Sequence, residues 1–190
     1  MSARELLQML SAPIFRAFVV PNLLRGLTVG ITSTIAMFAV NMGYSEAEAS
    51  RIPIMCALGC IVASLIYIAL SAKIKITTIG LLGSFLLIPI AFLPANNIGI
   101  FLTLFFVAYM GRMVVDCVVP VMVIQIIDPK IVGAYNAWRN ILIFLSSTLT
   151  VYFVGILLER GGAQFLLVAC AAAYVISMIW YCVMYNKFRT

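Results

Sequence analysis

Apolar residues run through this chain in six long blocks, each close to the twenty or so residues that a helix rising about 1.5 Å per residue needs to cross the hydrocarbon of a bilayer. The blocks cover residues 17–42, 52–72, 76–93, 98–127, 134–158 and 163–185. Between them lie turn and charge signals: 43–51 with Glu46 and Glu48, then 73–75, 94–97, Asp128-Pro129-Lys130, and Glu159-Arg160-Gly161-Gly162. No break is long enough to hold a soluble domain. The pattern predicts an all-α membrane protein of six transmembrane helices, with a lead-in at 1–16, a transmembrane domain at 17–185 and a tail at 186–190. In the lead-in, Leu6, Leu7 and Leu10 alternate with Arg4, Glu5 and Gln8. That spacing predicts either a short amphipathic helix on the membrane surface or the tail of a linker. The first block is too long for a signal peptide, lacks a small-residue cleavage site and precedes five more, so it reads as a retained span.

Composition agrees with this pattern and excludes other classes. The chain is 65% hydrophobic and 9% charged over 190 residues, whereas a soluble domain is about half apolar and a quarter charged. A net charge of +6 invites a nucleic-acid reading, but the basic residues fall in ones and twos without a basic run, so no nucleic-acid partner is expected. All five cysteines lie inside apolar blocks, where a thiol behaves as a small hydrophobe. The absence of histidine and of a Cys-x-x-Cys pair leaves a zinc or haem site almost without ligands, so neither a metal nor another cofactor is expected.

Lysine and arginine are retained preferentially on the cytoplasmic side of a membrane. Arg4 and Arg16, Lys73 and Lys75, Lys130, and Lys187 and Arg189 place seven cations on one side; Arg51 and Arg160 place two on the other. This bias predicts two cytoplasmic termini in the cell membrane. An even number of spans requires the same parity.

Four charges stand well inside the apolar blocks: Arg25 in the first, Arg112 and Asp116 in the fourth, and Arg139 in the fifth. A charge facing lipid at mid-membrane costs several kcal/mol, so such residues face a protein interior or a water-filled cavity. Helical spacing puts Asn22, Arg25, Thr28 and Thr32 on one side of the first span and Tyr109, Arg112 and Asp116 on one side of the fourth. The fifth carries Asn136, Arg139, Asn140, Ser146, Ser147 and Thr150, with Trp138 beside them. Arg112 and Asp116, four apart, either neutralise each other or couple to a ligand. Arg139 either snorkels to headgroups or faces a cavity. Gly80, Gly83 and Ser84 of the third span, and Ala169 and Ala173 of the sixth, form small-residue faces for close packing, and these two spans read as scaffold. The first span of each three carries a deep charge and the third carries none, the rhythm of an inverted three-plus-three repeat.

With this layout the chain resembles one half of a major facilitator superfamily transporter. More specifically it is similar to the C-terminal six-helix half: LLQMLSAPIFRAFVVPNLLRGLTVGI resembles the approach to the seventh span of such permeases, and DPKIVGAYNAWRNILIFLSSTL the turn into the eleventh. The family's acidic and basic glycine-rich loop is reduced here to SAKIKITT, which keeps the cations and loses the acid and glycines. The resemblance implies a central cavity lined by the first and fourth spans, flanked by the second and fifth, with the third and sixth outside. It implies a substrate path along Arg25, Arg112, Asp116, Asn136, Arg139 and Asn140. Three cations against one anion suit an anionic solute, or acidic groups supplied by a missing half. Because the family normally uses twelve spans, the resemblance implies a truncated or split permease, or one that pairs with itself or with a second six-span chain.

The expected function is transport of a small solute by alternating access. The alternative is a non-transporting permease remnant or a subunit of a membrane complex. Catalysis is not expected, since the deep carboxylate stands alone, histidine is absent and no Gly-x-Ser-x-Gly element occurs.

Overall fold

The computed structural model describes residues 12–160 and 162–189. The stretch 3–10, expected to form either a short amphipathic helix or the tail of a linker, lies outside them. The described chain is helical, with no strand: α1 Pro13–Ala17, α2 Val19–Ser33, α3 Ile35–Asn41, α4 Glu46–Ala49, α5 Ile52–Ser71, α6 Ile76–Phe85, a 3-10 turn Ile88–Phe92, α7 Ile98–Ile124, α8 Val132–Glu159 and α9 Ala163–Phe188. Five stretches are long and apolar enough to cross a membrane, namely Pro13–Ser33, Glu46–Ser71, Ile98–Ile124, Val132–Glu159 and Ala163–Phe188. The third apolar block forms the shorter Ile76–Phe92.

The first block, expected to be one helix, starts earlier and breaks twice. Phe18 leaves helical geometry between α1 and α2, and Thr34 does so between α2 and α3. At the second break three consecutive hydroxyls compete for the carbonyls of the preceding turn. Thr32 donates to the Thr28 oxygen at 2.8 Å, Ser33 to the Gly30 oxygen at 2.8 Å and Thr34 to the Ile31 oxygen at 3.0 Å, a pattern that bends helices. The third block changes from α to 3-10 where Pro89 lacks the amide that would continue the ladder. Because a 3-10 turn rises about 2.0 Å per residue, this short segment still covers roughly 25–30 Å.

The helices pack as two wings. In one, α2 lies against α8 on one side and α9 on the other; in the second, α7 lies between α5 and α6. The wings join along α9, which packs on α6, the 3-10 turn and, more lightly, α7. Glycine permits the tightest seams. A Cβ added at Gly26 would sit 2.6 Å from the Ile143 carbonyl oxygen, and one at Gly30 would sit 2.7 Å from Thr150 Cβ, so α2 and α8 meet nearly backbone to backbone. Gly83 and Gly111 play the same part between α6 and α7. The Ser146 hydroxyl adds a 2.7 Å bond to the Leu23 carbonyl across the first seam.

Helices α5 and α8 end the array and expose most of their apolar surface, with Phe144 75% and Ile68 67% accessible. At one end of the bundle Phe15, Phe18, Tyr135, Trp138 and Tyr181 form an aromatic cluster, with centroids 5.1 to 6.0 Å apart in contacting pairs. At the other, Tyr44 ties the first loop to the loop that leads into α7, donating to the Pro94 oxygen at 2.7 Å and accepting from the Asn97 amide at 3.0 Å.

Candidate functional site

The fronts of α2 and α7 face each other across the seam between the wings, and their backbones scarcely approach. Side chains bridge the gap instead. The Arg25 guanidinium of α2 donates through Nη2 to Asp116 Oδ1 of α7. Two turns along α2 the Arg112 Nη1 of α7 donates back to the Thr32 hydroxyl. Arg112 Nε also lies 3.6 Å from Asp116 Oδ2, one helical turn away. Asp116 therefore serves two arginines, one from each helix. The expected pair within α7 is present, and a bond to the first span, which the spacing on α7 does not reveal, accompanies it.

Arg25 is 2% exposed and the Asp116 side chain 27%, so one partner lies inside the bundle and the other at its open front. A lone charge at this depth would cost roughly 2.5–3.5 kcal/mol on helix-insertion scales, and pairing is what makes it tolerable. Pro120 sits four residues after Asp116 and inside α7. It denies the Asp116 carbonyl its usual helical donor and loosens the turn that carries the carboxylate.

Helix α9 backs the seam with hydroxyls, although its sequence reads as uncharged scaffold. The Tyr174 hydroxyl donates to the Arg112 carbonyl at 2.8 Å, Ser177 donates to the Pro21 carbonyl at 3.1 Å, and Tyr181 donates to Asn22 Oδ1. The Trp180 indole donates at 3.0 Å to the Ala17 carbonyl, the group that Pro21, lacking an amide, leaves without its helical donor. The guanidinium carbons of Arg25 and Arg112 also lie 5.8 Å from the Tyr181 ring centroid and 5.3 Å from that of Tyr109, within cation–π range.

Of the candidates on α8, Arg139 is half-buried and lies within electrostatic range of Arg25, Asp116, Tyr135 and Tyr181. Asn136 is half-buried beside it, and Asn140 is exposed on the flank of the helix. The structure thus joins Arg25, Arg112 and Asp116 in one polar centre, with Arg139 close enough to Arg25 and Asp116 to interact electrostatically and Asn136 and Asn140 on the same helix as Arg139. The residues that the spacing did not single out are Tyr135, Tyr174, Ser177 and Tyr181.

Four buried side-chain nitrogen or oxygen atoms have no hydrogen-bond partner among the described residues. They are Arg25 Nη1, Arg112 Nε, Arg139 Nε and the Tyr135 hydroxyl. A cleft of about 650 Å³ lies elsewhere, between the end of the first span and the end of α8 around Met37, Glu46 and Glu159. It is lined mostly by apolar groups and does not reach the arginines. Compared with protein families, with curated proteins and with solved structures, the chain has no match in any of the three.

Proposed function

We propose that the chain is a six-helix half of a secondary permease of the major facilitator type, moving a small solute across the cell membrane by alternating access together with a second six-span half. The observation that carries this reading is the Arg25, Asp116 and Arg112 network. It is a costly set of charges on the first and fourth apolar blocks of an otherwise apolar bundle, where a solute path in such a permease would run.

The packing order supports the reading independently. The first apolar block pairs with the fifth and the second with the fourth; the third pairs with the fourth and the sixth with the first. Exchanging blocks one to three with four to six turns this list into itself, as an inverted three-plus-three repeat requires. Ile76–Phe92, stretched by its 3-10 turn, serves as the third span, which gives six crossings and, with the lysine and arginine bias, two cytoplasmic ends.

The test is flux in proteoliposomes containing the chain and its second half, screened with small charged and neutral solutes. Arg25→Ala and Asp116→Asn should each abolish saturable uptake while the protein remains folded in the membrane. Uptake retained in both variants would remove the named path. Absence of saturable uptake by the unsubstituted protein would favour a non-transporting permease remnant or membrane-complex subunit.

A further inference from the structure

The buried atoms without hydrogen-bond partners have a common chemistry. Arg25 Nη1, Arg112 Nε, Arg139 Nε and the Tyr135 hydroxyl come from three different helices, yet all can donate, and the three nitrogens belong to cations that cannot accept. Among the described residues no buried side-chain amide or carboxylate oxygen is left in the same condition. Three guanidiniums share this centre with a single carboxylate, and that carboxylate already faces both Arg25 and Arg112. Like charges held together in an apolar surrounding repel unless an opposite charge joins them. A water molecule could accept from one donor, but it would leave the excess positive charge where it is. A cation would add to that excess. A neutral polyol could accept from the donors, but it would likewise leave the excess positive charge in place.

We propose that the polar centre between α2, α7 and α8 binds a small oxyanion of phosphate or carboxylate type, held by Arg25, Arg139 and the Tyr135 hydroxyl. Guanidinium nitrogens form charge-assisted bonds to such oxygens in planar pairs. Tyr135 and Arg139 are one turn apart on α8, so they present a hydroxyl and a guanidinium from the same side of that helix. Arg25 is fixed by Asp116 through Nη2, which leaves Nη1 to the anion. Arg112 neutralises the second carboxylate oxygen and holds Thr32. The inference deepens the transport reading by naming the class of solute. Binding itself can be measured without transport.

The oxyanion can come from solution or from a lipid headgroup, and the experiment separates the two. The purified chain is placed in nanodiscs of phosphatidylcholine alone and titrated with inorganic phosphate, following thermal midpoint and tryptophan emission. Trp138 lies 6.0 Å from the Tyr135 ring and reports on the site. Saturable binding with a midpoint raised by several degrees is expected, with potassium chloride at equal ionic strength as the control. Arg139→Gln should weaken binding at least tenfold, Arg139→Lys should restore part of it, and Tyr135→Phe should weaken it severalfold. Among the described residues Arg139 has no hydrogen bond to another helix, and Tyr135→Phe keeps the ring, so both variants should fold.

If nanodiscs containing phosphatidylglycerol give the same rise without added phosphate, and Arg139→Gln loses it, the site takes its oxyanion from lipid. The proposal is overturned if neither phosphate nor phosphatidylglycerol raises the midpoint, or if the rise is unchanged in Arg139→Gln. Phosphate binding without flux would remove the transport reading and keep the site. Flux without any anion effect would do the reverse.

Discussion

Asp116 is the residue on which the others depend. It is the single carboxylate deep in the apolar helices among the described residues, and both Arg25 and Arg112 lean on it. Replacing it by asparagine leaves two guanidiniums uncompensated. The loss should be roughly 3 kcal/mol, the lower end for breaking a buried pair because the carboxylate is partly exposed. Adding Arg25→Gln to Asp116→Asn should cost less than the sum of the two single changes, since the second removes the charge that the first stranded. Reversible unfolding in mixed micelles measures this, and strict additivity would show that the two side chains do not interact. The sequence made Arg25, Arg112 and Asp116 conspicuous because any charge stands out in an apolar helix. It could not pair Arg25 with Asp116, 91 residues apart, because that pairing depends on the relative height of two helices. Tyr135, Tyr174 and Tyr181 stayed hidden for a different reason. Tyrosine is common at membrane interfaces, so its place in a sequence does not separate an interior hydrogen bond from a headgroup contact.

At the level of elements, prolines and glycines decide where helices bend and where they touch. The α2 to α8 seam rests on Gly26 and Gly30. Gly26→Leu should force the helices apart and lower stability by roughly 1–3 kcal/mol or more, the usual range for overpacking. A glycine in open space provides the control. Nothing lies within 4 Å of a Cβ at Gly155 of α8, so Gly155→Ala should be neutral or stabilising by up to about 1 kcal/mol. Thermal midpoints of the two purified variants test the pair, and equal effects would show that close approach at Gly26 is unimportant. Apolar block lengths located the long helices well. They missed the breaks at Thr34 and before Pro89, because hydropathy sums side chains and is blind to which backbone bonds a hydroxyl or a pyrrolidine ring takes away. The clues were present as Thr32-Ser33-Thr34 and Ile88-Pro89.

For the whole molecule, the decisive feature is an array of helices that does not close. Helices α5 and α8 stand at its two ends, and at the front of the polar centre the Asp116 side chain stays partly exposed. If a second copy can supply the other half, native mass measurement in nanodiscs should give two chains per particle. A strict monomer would exclude self-pairing under those conditions. The general arrangement of long apolar helices was legible from hydropathy alone. The division into wings was not, since it depends on which small-residue faces choose each other.

That division has a mechanical consequence. Opening the α2 to α8 or α6 to α7 seam requires pulling apart backbones in direct contact, whereas separating α2 from α7 stretches only guanidinium bridges. The front of the bundle is therefore held by guanidinium bridges, and whatever neutralises Arg25 or Asp116 loosens that front while leaving the glycine seams intact.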